Sequence, residues 1–393
     1  MSAERPPQQA ITPRRRAVPR GLLGMLAIVA AFETFLAAHP ADFAEFSASD
    51  WRLAKRALTE GARDAEVLCF GSSLLKFGLI PELIERRTGL ATFNLSLMGG
   101  QAASSYFLLR DAIEAGARPR FVLLDCQDLP SKPCFPDVRG LGLAAHVRSW
   151  PELLSIAQAA ELARSARDPA FFGTVIAREI LPSFKARREV RSNLGQLLRK
   201  GDTSSRRQFR AQERNWSLNR GTLLMGRRPR NPTTIGPERM SEPTEEWSPD
   251  PVSLEYLRKF LALAAENGME AVWLIAPTSP EHEGLRVKTG QHTYYTKIAE
   301  DLQREFPRLS VIDGRAPGYG RGVFIDDSHL DRVGAAAFTS DVAEVLAGLF
   351  GGVNPVARWV ALPPFRERLG PAGIEDMDES RLALGPKKGG ARR

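Results

Sequence analysis

From Glu66 onward, short unbroken apolar runs alternate with stretches in which apolar residues recur at every third or fourth position. Five runs stand out: Glu66 to Phe70 (EVLCF), Thr92 to Leu95, Arg120 to Asp125 (RFVLLD), Glu270 to Ala276 (EAVWLIA) and Leu309 to Ile312. Runs of this length without polar alternation suit strands buried on both faces. Between them, Ile80 to Arg87, Ala102 to Ala115, Leu254 to Asn267 and Tyr294 to Glu305 carry helical spacing, and Val333 to Phe350 closes the series. Strands that alternate with amphipathic helices predict parallel βαβ units and a doubly wound α/β sheet.

Two regions depart from this rhythm. Residues 136–250 show helical periodicity early (Pro151 to Ala166, Ala170 to Ile180) and then become polar and Arg-rich, so they are expected to form an insertion between the third and fourth strands. Gly21 to Ala38 (GLLGMLAIVAAFETFLAA) is almost wholly apolar. As a helix it would be roughly 27 Å long, close to the hydrocarbon thickness of a bilayer. Residues 1–20 carry five arginines against one acid and read as a disordered basic arm, while Asp42, Glu45 and Asp50 follow the apolar run. The positive-inside rule then leaves the arm in the cytoplasm and the body outside, as in a single-pass inner-membrane protein facing the periplasm. Glu33 is the one defect in the span, to be met by the interface, by protonation or by a partner helix. A cleaved signal peptide and a buried core helix are the alternatives, although no A-x-A site follows. Residues 370–393 mix Gly, Pro and charge and read as a disordered tail.

Composition narrows the classes. The chain has 393 residues, 43% hydrophobic and 25% charged, which excludes disorder throughout. Its net charge is +8, yet Lys185 to Arg230 alone holds 14 basic against 3 acidic residues. The basicity is therefore local. That segment is either a solvated excursion or a patch for acidic lipid headgroups or an anionic polymer. Nucleic acid fits poorly, because the segment has few aromatics and would lie outside the cell membrane. The three cysteines (Cys69, Cys126, Cys134) show no zinc-ligand spacing and no disulfide framework, and a pairing of Cys126 with Cys134 stays open. No Gly-x-Gly-x-x-Gly or Walker-type loop follows any strand, so neither a metal nor a cofactor is expected and nucleotide binding is a weak reading.

Four segments hold candidate chemistry. VLCFGSSLLKFGL (Val67 to Leu79) runs a buried strand into Gly71, two serines and a helix, which sets Ser73 where doubly wound folds receive ligands. The same residues also suit a plain turn and helix cap. FNLSLMGGQAASSYFLL (Phe93 to Leu109) brings Gly99 and Gly100 after a strand, where backbone N–H groups can approach a bound group. FVLLDCQDL (Phe121 to Leu129) ends a third strand in polar residues that include Gln127 and Asp128. FIDDSHLDRVGAAAF (Phe324 to Phe338) sets Asp326 three residues before His329, a spacing that lets a carboxylate hold one imidazole nitrogen and leave the other as a base. An Asp-capped helix start with a surface histidine would look the same. His39, His146, His282 and His292 have no comparable context.

In this order the four segments resemble the SGNH (GDSL-like) hydrolase superfamily, over about Glu66 to Leu349 apart from the insertion. The resemblance implies a three-layer α/β/α flavodoxin-like sandwich with a five-stranded parallel sheet, spanning about residues 60–350. It sets Ser73 at the nucleophile position, Asp326 and His329 in the Asp-x-x-His block, and Ser73, Gly99 and Gln127 around the oxyanion. Ser72 stands where the family usually has aspartate, and DCQD (Asp125 to Asp128) keeps an amide but loses the glycine and asparagine. Such departures are familiar in anchored relatives that act on cell-surface polysaccharides, among them proteins resembling those of alginate O-acetylation and teichoic-acid D-alanylation. The expected activity is that of a serine esterase or O-acyltransferase acting on an acylated glycan or a small acyl ester, alongside polysaccharide-modification proteins. The rival is a catalytically idle domain that scaffolds a polysaccharide modification or export complex.

Overall fold

A strand that is apolar on both faces is stable only where helices cover both sides of its sheet, and the computed structural model has that arrangement. It describes residues 20–126, 143–227, 249–315, 317–350, 358–368 and 370–385. Six strands are present among them: β1 (Val67–Phe70), β2 (Thr92–Asn94), β3 (Phe121–Leu124), β4 (Glu270–Ile275), β5 (Leu309–Asp313) and β6 (Trp359–Ala361). All pair in parallel, in the order β2-β1-β3-β4-β5-β6. The helices are α1 (Arg20–Ala38), α2 (Phe46–Ala57), α3 (Ser73–Gly78), α4 (Pro81–Thr88), α5 (Ala102–Glu114), α6 (Trp150–Leu153), α7 (Ile156–Ala166), α8 (Pro169–Ile180), α9 (Pro182–Lys185), α10 (Arg187–Lys200), α11 (Ser204–Leu218), α12 (Pro251–Glu266), α13 (Pro280–Lys288), α14 (Gln291–Glu305), α15 (Arg332–Phe350) and α16 (Met377–Ala383).

Strand alternation divides the core in two. Leu68, Phe70, Val122, Leu124, Trp273 and Val311 face a cluster built with α2, α5, α12 and α14. Val67, Cys69, Leu123, Val272, Leu274 and Ile312 face the other, built with α3, α4 and α15. Cys69 and Cys126 are both buried, and Cys134 lies outside the described residues.

Three expectations need correction. The sheet has six strands rather than five: Trp359–Ala361 adds an edge, too short and too half-exposed to leave a hydropathy signal. The Arg-rich part of the insertion is helical through α10 and α11. The tail is ordered over residues 370–385, where Asp376 and Glu379 form a capping box for α16. Its charges are satisfied by distant partners, with Arg214 gripping Glu375 at 2.8 and 2.6 Å and Asn215 donating to the Glu375 carbonyl at 2.7 Å. Residues 1–19 and 386–393 lie outside the described residues.

Among the described residues, two helices are long and apolar enough to cross a membrane. One is α15, more than half buried in the core, and the other is α1, whose apolar side chains are almost all exposed. Only α1 presents the surface of a lipid-facing span. Its Glu33 accepts hydrogen bonds from the Ser183 N–H (2.9 Å) and the Ser183 hydroxyl on α9, so the acidic defect meets a helix of the same chain.

Candidate active site

The site grows from the carboxyl end of β1. Gly71 has φ +132°, and a Cβ there would collide with the Asp125 carboxylate, so only glycine fits. Ser72 then caps α3, its Oγ accepting from the Leu74 N–H at 3.2 Å. Asp125, at the end of β3, accepts from the Ser72 N–H (2.6 Å) and the Ser72 hydroxyl (2.9 Å), and both residues are buried. Ser72 is thus held by an aspartate from the neighbouring strand. The turn is fixed, and Ser73 emerges at the first position of α3.

Ser73 Oγ lies 2.7 Å from His329 Nε2, and His329 Nδ1 lies 2.7 Å from Asp326 Oδ2. Asp326 Oδ1 accepts from the N–H groups of Ser328 and His329, each at 2.9 Å, which locks the loop that carries both residues. The helix behind it is capped by Asp331, which accepts from Val333 N–H (2.8 Å) and Gly334 N–H (2.9 Å). Asp326 is therefore not the helix cap. Burial works to raise the Asp326 carboxyl, but the His329 imidazole and the two loop N–H groups outweigh it and hold the carboxyl down at about 2. An ionised Asp326 requires a proton on His329 Nδ1, which leaves Nε2 as the acceptor facing the Ser73 hydroxyl. Phe77 packs edge-on against the imidazole, 5.0 Å between ring centres.

The second strand end supplies the opposite wall. Leu97 N–H donates to the Gly71 carbonyl at 2.9 Å, and Gly100 N–H closes a turn onto Leu97 O at 2.9 Å, with Gly99 at φ +68°. The N–H groups of Ser73 and Gly99 have no acceptor among the described residues. Gln127, the third expected donor, lies outside the described residues.

Several residues at the site escape a reading of motifs. Asp50 of α2 accepts from the Met98 N–H at 2.8 Å, and Trp51 Nε1 donates to the Met98 carbonyl at 2.9 Å, so one helix grips both sides of the residue before Gly99. Asp50 also pairs with Lys76 of α3 at 2.9 Å, both side chains wholly buried, and Lys76 Nζ donates to Gly221 O at 2.7 Å. Burial pushes the Asp50 carboxyl up and the Lys76 ammonium down, while each charge draws the other back. The available signal was a single charge inside the apolar run LLKFGL. His146 lies in the insertion, yet its ring fills the space that a Cβ on Gly99 would occupy and stacks 6.4 Å from Trp51. Burial pushes its imidazole down, opposed by the Glu45 charge. His282 Nδ1 sits 3.5 Å from Ser328 Oγ in the catalytic-type loop, and burial together with the Arg286 charge brings it down to about 4.

Chemically, the site offers a hydroxyl paired to an imidazole and a carboxylate that fixes the imidazole. In comparisons with known proteins, no family model and no curated protein matches the chain.

Proposed function

We propose that the chain is a membrane-anchored SGNH-type serine esterase or O-acyltransferase, acting on acyl esters, acetyl foremost, of a cell-envelope glycan on the periplasmic side of the inner membrane. The observation that carries this reading is the continuous relay from Ser73 through His329 to Asp326, with hydrogen bonds of 2.7 Å at each step. The strand order β2-β1-β3-β4-β5 within the sheet, with helices on both faces, supports the three-layer flavodoxin-like architecture that this reading entails.

Ser73 Oγ attacks the ester carbonyl carbon while His329 Nε2 takes its proton. The carbonyl oxygen becomes an oxyanion held by the N–H groups of Ser73 and Gly99, with the Gln127 amide as a third donor. When the tetrahedral adduct collapses, the C–O bond to the leaving alcohol breaks and His329 returns the proton to that oxygen. An acyl-Ser73 intermediate remains. Water, deprotonated by His329, releases the free acid; a glycan hydroxyl in its place gives the O-acylated sugar. The direct test is turnover of a chromogenic acetyl ester by the full chain in detergent. Wild type is expected to hydrolyse it and Ser73→Ala to lose nearly all activity. Equal rates would remove the enzyme and leave the scaffold reading.

A further inference from the structure

We infer that the α8–α9 corner and α10 form a second membrane contact beside α1, an interfacial platform that rests on acidic phospholipid. Five residues separate Glu33 from the end of α1, so a spanning α1 sets that carboxylate about 7 Å inside the hydrocarbon boundary. Its two oxygens are bound there by the Ser183 N–H and hydroxyl. Ser183 must then dip to the same depth, since a carboxylate without partners would be expelled from that zone.

The residues around Ser183 suit such a position. Ile180 is 67% exposed, Leu181 41% and Phe184 38%, a run of exposed apolar side chains on both sides of Ser183 in sequence. Immediately afterwards α10 presents Arg187, Arg188, Arg191, Arg199 and Lys200 to solvent, together with Leu198, which is 74% exposed. None of these five cations makes an ion pair with a described residue. The neighbouring α11 differs: its Arg206, Arg207 and Arg214 are bound to Asp42, Asp202 and Glu375, which leaves Arg210 as its one cation without an ion pair to a described residue. Uncompensated positive charge is thus concentrated on the one helix that continues from the apolar corner. Apolar anchors at one end and a row of free guanidinium groups along the exposed face match a membrane-surface helix on anionic headgroups. An acidic polysaccharide would satisfy the charge but not Ile180, Leu181 and Phe184. The platform depends on α1 as a span and not on the chemistry at Ser73.

The test uses the full chain with Cys134→Ser, reconstituted in nanodiscs of phosphatidylcholine with or without phosphatidylglycerol. An environment-sensitive fluorophore is attached at Ile180→Cys, Phe184→Cys or Leu198→Cys, with Val287→Cys on α13, 60% exposed, as the reference. Lipid brominated high on the acyl chain should quench the labels at 180 and 184 at least about twofold more than the label at 287, as expected for side chains in the headgroup–acyl boundary. The label at 198 should blue-shift only when phosphatidylglycerol is present, and Arg187→Glu, Arg188→Glu and Arg191→Glu together should abolish that shift. Labels at 180 and 184 that behave like 287 would overturn the platform. So would a label at 198 that responds to soluble acidic polysaccharide and not to lipid. Acetyl-ester turnover measured on the same samples keeps this result separate from the fate of the catalytic reading.

Discussion

At Asp326, burial and hydrogen bonding oppose each other, and the hydrogen bonds to His329 and the loop N–H groups win: the carboxyl is held down at about 2 and is ionised near neutral pH. Its task is to choose the imidazole tautomer. Asp326→Asn should therefore keep the fold while presenting the wrong nitrogen to Ser73, and kcat on an acetyl ester should fall by about 10⁴-fold. His282 makes a different claim. With the folded imidazole at about 4 and an unfolded value near 6.5, the unfolded chain binds the proton first. Stability is then complete above about pH 6.5 and declines towards pH 4, by roughly 2–3 kcal/mol. Urea unfolding of wild type and His282→Gln across this range should show the slope in the first and a flatter profile in the second. Ser73, Asp326 and His329 were legible because each sits beside a strand end or a helix start that hydropathy marks. Asp125 was visible as part of DCQD, but its grip on Ser72 depends on strand pairing that no local pattern encodes. His146 was set aside for want of a comparable sequence context; 47 residues separate it from Gly99, and only the tertiary fold closes that gap.

Between elements, the notable coupling runs from α2 to the nucleophile. Asp50 and Lys76 tie α2 to α3, and the same Asp50 holds the Met98 N–H that fixes the Gly99 turn. Two buried charges are stable together and costly apart. Lys76→Met should destabilise the chain by about 3–5 kcal/mol, since it leaves Asp50 buried without its counter-ion. Adding Asp50→Asn should recover part of that loss. Thermal unfolding measures both, and kcat measured on the same variants reads the loosening of the Gly99 turn; an additive double variant would deny the coupling. The first five strands and their helices were readable because burial on both faces, or on one stripe, imprints a pattern on the sequence. β6 is half-exposed, unlike the equally short but buried β2, and α16 has only seven residues, so neither leaves a clear apolar signal.

For the molecule as a whole, the sheet gathers at one edge groups that lie far apart in sequence, Ser73 and His329 being 256 residues apart. The candidate membrane helix reaches the same place by a short route: α1 leads into α2, and α2 grips Met98. α1 and the Gly99 turn are thus joined through one helix, and α11 packs with α16 through the Asn215–Glu375 contact. The insertion was recognisable as an interruption of the strand rhythm. That its basic helix α11 would order depends on acids of other segments, Asp42 and Glu375, which receive Arg206 and Arg214. All of this serves one claim, that Ser73 is a hydroxyl activated by His329. Exposure of the intact protein to a fluorophosphonate probe, followed by peptide mapping, addresses it most directly. The account predicts a single label on Ser73, with His329→Ala reacting at least about 10²-fold more slowly. A folded protein that takes no label, or one that labels equally fast without the imidazole, would contradict it.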